Sequence, residues 1–218
     1  MNDNEKQLKE ILEVLEKEGI LKNIIVIGSW CQLFYKNIFE NFRSTIKTID
    51  VDLFVPNPKS VTEKNGIISE FKNINYDIKQ DIITNKTIFI SNEGFRIEFL
   101  TILNRDYLTC VRLGSTGIYA ESISSLDMYV GNYIEVNYYG IQVKVASPAS
   151  YVLQKLLINN KRGEKAEKDI QSVKVVLWYI ITSKKYFNEL HSLFASLPKK
   201  WQKQIKETAE KNDIELFI

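Results

Sequence analysis

Residues 48–55 constrain the fold of this chain more than any other stretch. Apart from Asp50 and Asp52 the segment is β-branched or apolar, which predicts a strand. Side chains two residues apart on a strand point to the same side, so both carboxylates leave one face while the residues between them point toward a core. Neighbouring anions repel each other and resist burial, so a positive group has to hold them. Divalent cations shared by the carboxylates are one solution, and an exposed edge strand with two solvated acids is the other.

The turn after the first predicted strand has the form of a phosphate-binding site. Residues 23–27 are a short apolar run that predicts a strand, Gly28 and Ser29 follow, and residues 30–39 have helical spacing. Glycine lets the backbone approach an anion, and the free N–H groups at the start of a helix point toward it. The same residues also occur in such turns for packing or capping. The turn by itself therefore leaves both interpretations open.

A third carboxylate lies in a later strand. Residues 86–91 and 95–101 predict the two arms of a hairpin, and Glu98 is flanked by apolar residues in the second arm. An acid in such a strand costs free energy unless it is paired or bound to a metal. If the second arm lies beside residues 48–55, Glu98 joins the other two acids. The alternative is an exposed position paired with Arg96 or with a neighbouring lysine.

Two predicted helices near the C-terminus carry basic residues. Ser147-Pro148 predicts the start of the first helix, with serine as the cap and proline at the first position. Lys155 lies off the apolar stripe of that helix. The second helix carries Lys168 and Asp169 in its first turns.

The other patterns predict the connections between these elements. Residues 36–48 predict a polar connection, and the capping box Ser60–Glu63 predicts a helix that continues to residue 72. No element is assigned within residues 102–131. Further predicted elements are a helix over 4–18, a strand over 75–79, a hairpin of 132–138 and 141–145, and a mostly helical tail over 184–218 divided at Pro198.

The composition excludes several classes of site. With 218 residues, 44% of them hydrophobic and 26% charged, the chain is predicted to form one globular domain, or one domain with an appendage. The net charge of +2 does not indicate nucleic-acid binding. Cys31 and Cys110 are too few for a disulfide framework or a zinc cluster, and Cys31 is expected to pack as a small apolar residue on a helix. The single histidine, His191, disfavours a His–Asp mechanism and multi-histidine metal sites.

The beginning of the chain carries no targeting pattern. Residues 1–9 are charged and lack the features of a signal peptide. No apolar run approaches the length of about 18 residues that spans a bilayer. We therefore expect a cytoplasmic protein.

Taken in order along the chain, these acids and the Gly-Ser turn form a known pattern. Gly28-Ser29, Asp50-Val51-Asp52 and Glu98 resemble the core of the polymerase-β-type nucleotidyltransferase superfamily. The wider similarity, over residues 24–180, is to small bacterial nucleotidyltransferase-like proteins related to the abortive-infection toxins. This sequence departs from the minimal pattern by a longer stretch between Ser29 and Asp50, with an insertion around residues 36–47. The segments that carry the wider similarity are Ile27–Trp30, Thr48–Phe54, Ile97–Leu100, Ser147-Pro148 with Lys155, and Lys168-Asp169.

The resemblance implies an α+β fold, in which a mixed β-sheet is flanked by helices and followed by a helical C-terminal part. It implies a nucleotidyltransferase core over residues 1–146 and a helical region over residues 147–218 packed on that core.

The resemblance also implies roles for the site residues. Asp50 and Asp52 would hold two Mg²⁺ ions, with Mn²⁺ as a possible substitute. Glu98 would be a third metal ligand or the group that accepts the proton of the acceptor hydroxyl. The residues implied to contact the phosphates of the NTP are Gly28 and Ser29 through the turn, Lys155 as the first cation and Lys168 as the second. For Lys155 the alternative is a solvated lysine on a helix surface. Asp169 is expected to orient a neighbouring cation rather than to bind metal.

The function implied is metal-dependent transfer of a nucleoside monophosphate from an NTP such as ATP to an unidentified acceptor. That acceptor is a tRNA end, a protein hydroxyl or a small molecule such as an aminoglycoside. A second hypothesis is a non-catalytic module of the same fold, or the toxin of a toxin–antitoxin pair with an antitoxin as its partner. A metal-dependent nuclease built on Asp50 and Glu98 ranks last, because Leu100 stands where such sites usually carry a lysine.

Overall fold

The computed structural model describes residues 3–44, 48–103 and 109–216, which form one mixed β-sheet of nine strands flanked by helices. The strands are β1 (Ile25–Ile27), β2 (Asp50–Phe54), β3 (Tyr76–Gln80), β4 (Thr87–Ser91), β5 (Arg96–Ile102), β6 (Cys110–Arg112), β7 (Tyr119–Ile123), β8 (Tyr133–Tyr138) and β9 (Ile141–Ala146). The helices are α1 (Asp3–Lys17), α2 (Cys31–Tyr35), α3 (Ile67–Asn73), α4 (Pro148–Ile158), α5 (Ala166–Ile181), α6 (Lys184–Ser196) and α7 (Lys199–Lys211).

The sheet runs in the order β3-β4-β5-β2-β1-β9-β8. Strand β2 is antiparallel to β1 and parallel to β5, and β1 is parallel to β9. Strand β7 continues the pairing beside the end of β5, and β6 pairs with β7. This architecture, with its helical C-terminal part, confirms the predicted α+β class.

Strand β2 lies inside the sheet, between β1 and β5, so the edge-strand alternative for residues 48–55 is wrong. Its side chains alternate as predicted. Val51 and Leu53 are fully buried on one face, and Asp50 and Asp52 are partly buried on the other. The period of two in the sequence therefore separates a core face from a polar face.

The segment after β1 differs from the prediction. A 3-10 turn at Gly28–Trp30 leads into α2, which ends at Tyr35 rather than at residue 39. Cys31 is fully buried at the start of α2, as expected for a small apolar residue. Its sulfur donates to the carbonyl of Val26 at 3.4 Å.

The expected polar connection also carries buried aromatic residues in its described part, residues 36–44. Phe39 and Phe42 are buried, and their rings contact Tyr179 and Tyr186 of the C-terminal helices. The Tyr179 hydroxyl also donates to a backbone carbonyl of this segment at 2.8 Å. The charged residues of the segment are exposed, as a polar connection requires, but the prediction did not include the phenylalanines that fix it to the C-terminal helices. The rest of the insertion, residues 45–47 with Lys47, lies outside the described residues.

Helix α3 starts later than its predicted capping box. The buried Glu18 carboxylate accepts hydrogen bonds from the backbone N–H groups of residues 64–66, at 2.7 to 3.2 Å. These bonds hold the segment as a loop, so the helix begins at Ile67 instead of after Ser60. Glu63 still contributes, because its carboxylate accepts from the Ile67 N–H at 2.8 Å. The carboxylate that sets this boundary lies just after α1, outside any local pattern.

The hairpins and the C-terminal helices follow the sequence prediction closely. Strands β4 and β5 form one antiparallel hairpin, and β8 and β9 form the other. Ser147 caps α4 by accepting a hydrogen bond from the Ser150 N–H at 3.2 Å. Pro198 separates α6 from α7. Among the described helices, none combines the length and the apolar character that crossing a bilayer would require.

Candidate active site

The pairing of β2 with β5 brings the three acids of the sequence motif to one face of the sheet. In this parallel pair Asp52 is opposite Glu98, and Asp50 is opposite Arg96. Paired residues of adjacent strands point to the same side. Glu98 therefore faces the same side as Asp50 and Asp52, although no local pattern links the two segments.

The Gly28 turn opens directly against one of these carboxylates. Strand β1 pairs antiparallel with β2, which places Ile27 opposite Asp52. Gly28 has a φ of +70°, and a Cβ at this position would lie 2.4 Å from Asp52 Oδ2. Both the backbone conformation and the close approach require glycine.

One cavity of about 660 Å³ brings the candidate residues together. It is lined by all the residues that the sequence singled out as site candidates: Gly28, Ser29, Asp50, Asp52, Glu98, Lys155 and Lys168. Further polar residues on its wall were not predicted as site residues: Glu121, Tyr129, Gln154, Arg162 and Lys165. The cavity thus lies between the acids of the sheet and the cations of α4 and α5.

The carboxyl group of Asp52 has a strongly raised pKa. Its pKa is raised to about 6, first by burial and then by the negative charges of Glu98 and Asp50. Arg162 and Lys155 act in the opposite direction without cancelling the effect. A carboxylate that is hard to ionise among other anions gains most from a bound cation.

The cations of the cavity are held by a buried acid. Lys155 is 5% exposed and forms an ion pair with Asp169, which also accepts from Arg162 Nε at 2.8 Å. The solvated-lysine alternative for Lys155 is therefore wrong, and Asp169 orients two cations. Lys165 approaches the sheet acids, with Nζ 3.7 Å from Asp50 Oδ2. The pKa of Lys168 is lowered by burial and by the positive charge of Lys155.

Two of the unpredicted cavity residues lie where helical or strand periodicity gave no signal. Arg162 lies between two short 3-10 turns, Asn159–Lys161 and Gly163–Lys165, and therefore belongs to no periodic element. Glu121 lies on β7, within the stretch to which the sequence assigned no element. Lys86 precedes β4 and contacts Glu98 at 2.7 Å, so the expectation that a neighbouring lysine pairs with Glu98 also holds.

The donor set suits a hard divalent cation, although the acids are not yet gathered around one point. Within residues 3–44, 48–103 and 109–216 no three potential ligands are close enough to hold a metal ion. Glu98 is turned toward the ammonium group of Lys86. Carboxylate oxygens are the donors that Mg²⁺ and Mn²⁺ prefer. The pKa of Asp52 is raised by burial and by the charges of Glu98 and Asp50, and a bound cation would offset both effects.

Comparisons with known proteins were made on both sequence and fold. A family model described as nucleotidyltransferase matches residues 6–192. No curated protein sequence matches the chain significantly.

Several solved structures share the fold. An antigenic nucleotidyltransferase-like protein from Paracoccidioides brasiliensis is similar with a TM-score of 0.54 and 15% identity, over 96% of this chain and 89% of that one. The crystal structure of ANT(2'')-Ia in complex with adenylyl-2''-tobramycin is similar with a TM-score of 0.50 and 11% identity, over 96% and 99% of the two chains. The solution structure of the antibiotic-resistance factor ANT(2'')-Ia gives 0.50 and 12%, over 88% and 91%. At such identities the similarity concerns the fold alone.

Proposed function

Because this chain belongs to the nucleotidyltransferase family, we propose that it transfers a nucleoside monophosphate from an NTP to a hydroxyl group in the cavity described above, with a divalent cation. Asp50, Asp52 and Glu98 are the residues that we assign to this reaction. The observation that carries the assignment is the register that sets Asp52 opposite Glu98 on parallel neighbouring strands.

The acids have two tasks in this proposal. Asp50 and Asp52 would hold Mg²⁺ or Mn²⁺. The positive charge of the ion would offset the neighbouring negative charges, so that Asp52 stays ionised. Glu98 completes the ligand set or accepts the proton of the acceptor hydroxyl. The bound cation would neutralise phosphate charge and make the acceptor hydroxyl a better nucleophile. Phosphoryl transfer depends mostly on such positioning and charge neutralisation.

The turn and the helical cations bind the phosphates. Gly28 and Ser29 offer backbone N–H groups and a hydroxyl beside Asp52. Lys155 is buried and fixed by Asp169, so it supplies a positive charge in one position. Lys168 is the second cation at the cavity wall. In this proposal residues 1–146 form the core that supplies the acids, and residues 147–218 form the helical region that supplies the cations.

The acceptor is a molecule with a free hydroxyl group. ANT(2'')-Ia was crystallised with adenylyl-2''-tobramycin, so tobramycin belongs in the acceptor panel. Total tRNA and a protein extract represent the other classes.

The proposal is tested by incubating the purified chain with each NTP, radiolabelled at the α-phosphate, in the presence of Mg²⁺ or Mn²⁺. Each acceptor class is added separately, and label transfer is followed by chromatography or gel electrophoresis. We expect transfer to one class of acceptor. Asp50→Asn and Asp52→Asn should abolish it, because each removes a carboxylate that holds the cation.

Nucleotide binding is measured in parallel by equilibrium dialysis. If the wild-type protein binds no NTP with either cation, the proposed function is wrong. If it binds an NTP equally well after the change Asp52→Asn, the assignment of the site is wrong.

A further inference from the structure

Lys86 joins Glu98 to a fourth acid of the cavity. Its Nζ lies 2.7 Å from Glu98 Oε2 and 2.5 Å from Glu121 Oε2. The side chains of Lys86 and Glu98 are 20% and 21% exposed, and that of Glu121 is 38% exposed. A mostly buried ammonium group therefore already contacts the carboxylate that the proposed reaction needs.

The backbone on both sides of this bridge is fixed. The Lys86 carbonyl accepts from the Asp81 N–H at 2.9 Å, and its own N–H donates to Thr84 Oγ1 at 3.3 Å. The Asp81 carboxylate accepts from the Thr84 N–H at 2.7 Å, which holds the turn together. Glu121 is held in β7, opposite Leu100 of β5. The Lys86 side chain can therefore change its carboxylate partner without a change in this backbone.

The bridge keeps Lys86 charged. Burial alone would lower its pKa, but the hydrogen bonds to Glu121 and Glu98 outweigh burial and leave the pKa above its ordinary value. Lys86 is therefore a permanent cation at neutral pH. It competes with any other cation for the oxygens of Glu98.

We propose that Lys86 is a positioning residue, which pairs with Glu98 when the site lacks its divalent cation and moves wholly to Glu121 when that cation binds. This inference rests on the proposed function, since it requires Glu98 to serve the cation. Glu121 stabilises the displaced ammonium group, so it lowers the cost of releasing Glu98.

The two residues should then affect cation binding in opposite directions. Removing the Lys86 charge removes the competitor, and the site binds the divalent cation more tightly. Removing the Glu121 charge leaves the ammonium group with Glu98 as its one acidic partner in the bridge, and the site binds the cation more weakly. A bridge that only holds β4 to β7 would change stability and leave cation affinity alone.

The test is a titration of the nucleotide-free, metal-free protein with Mn²⁺, in which free Mn²⁺ is measured by electron paramagnetic resonance. An opposite charge at this distance changes the cation affinity of a carboxylate by about tenfold or more. We therefore expect Lys86→Met to tighten Mn²⁺ binding about tenfold and Glu121→Gln to weaken it about tenfold. In the Lys86→Met background, Glu121→Gln should have a clearly smaller effect, because there is no ammonium group to accommodate.

Three controls make the result specific. Lys86→Arg keeps the charge and should stay within about threefold of the wild type. Lys144→Met removes a lysine outside the bridge, whose Nζ donates to the Lys22 carbonyl at 2.9 Å. This change should leave the Mn²⁺ affinity unchanged. Thermal melts of each variant in EDTA report folding separately. If Lys86→Met does not fold, Lys86→Gln, which also removes the charge, takes its place both alone and combined with Glu121→Gln.

The outcomes separate this inference from the proposed function. If wild-type protein binds Mn²⁺ and Asp52→Asn abolishes binding, but Lys86→Met and Glu121→Gln leave affinity unchanged, only the role of Lys86 is wrong. If Glu121→Gln weakens binding equally in the presence and absence of Lys86, Glu121 acts as a simple anion and the exchange is again wrong. If the wild type binds no Mn²⁺, or binds it regardless of Asp52, the proposed metal site fails and this inference fails with it.

Discussion

Replacing Asp52 with asparagine should make the metal-free protein more stable while it removes activity. The neutral amide resembles the protonated carboxyl group in size but needs no ionisation beside Glu98 and Asp50. The pKa of Asp52 is raised from 3.8 to about 6. Since one pKa unit corresponds to about 1.4 kcal/mol, the ionised group costs the folded state about 3 kcal/mol at pH 8.

The sign of the pH dependence follows from the direction of the shift. A carboxyl group with a raised pKa in the folded state ionises more easily in the unfolded state, so the stability of the wild type falls as pH rises from about 4 through about 6. The advantage of Asp52→Asn should therefore be about 3 kcal/mol at pH 8 and about half of that at pH 5. For a chain of this length, 3 kcal/mol corresponds to a rise in Tm of about 6–12 °C.

The assay is thermal or urea denaturation followed by circular dichroism in EDTA, at pH 5 and at pH 8. Mn²⁺ should raise the Tm of the wild type and leave that of Asp52→Asn unchanged, because the ligand stabilises only the state that binds it. Asp81→Asn is a matched control on an acid whose pKa is lowered by hydrogen bonds from Thr84 and Ile83, and it should bring no gain. If Asp52→Asn is no more stable than the wild type at pH 8 without metal, the electrostatic account of the site is wrong.

Three further substitutions test the surroundings of the site. Gly28→Ala should cost about 1–3 kcal/mol of stability and reduce NTP binding, because a Cβ would meet Asp52 Oδ2 at 2.4 Å and the backbone has a φ of +70°. Urea denaturation measures the first effect and equilibrium dialysis the second. Wild-type values in both would contradict the close contact. Glu18→Gln should cost about 1–2 kcal/mol at pH 7, because the carboxylate accepts charge-assisted hydrogen bonds from residues 64–66. The pKa of Glu18 is lowered, since these hydrogen bonds outweigh the opposing effect of burial. Its contribution to stability is therefore present above the unfolded pKa and is lost as pH falls through the lowered value. The difference between Glu18→Gln and the wild type in urea denaturation should shrink over that range, and a difference independent of pH would refute this. Asp169→Asn should cost about 3–5 kcal/mol of stability by leaving the buried Lys155 without its acid. Adding Lys155→Met should recover the stability but not nucleotide transfer. If the double variant does not recover stability, the lost ion pair is not the cause.

The local patterns of the sequence determined much of the fold. The alternation in residues 48–55 placed both aspartates on one face of β2, because neighbouring residues on a strand must point to opposite sides. The two hairpins and the Ser147 cap of α4 were also predictable, since each depends on residues close together in the chain. The candidate residues for the site could be named for the same reason, from short motifs.

What only the tertiary structure decided is how those motifs meet. The parallel register of Asp52 and Glu98 joins strands 46 residues apart, and no turn between them fixes it. The same holds for the burial of Lys155 against Asp169, for the contact of Glu18 with the loop before α3, and for the position of Lys86 between Glu98 and Glu121. Hydrophobic periodicity and residue propensity predict the backbone conformation of each segment. Ion pairs between segments depend instead on how the segments pack against each other. The candidate residues could therefore be named from local sequence, whereas the cavity that they line forms only when the sheet and the C-terminal helices assemble.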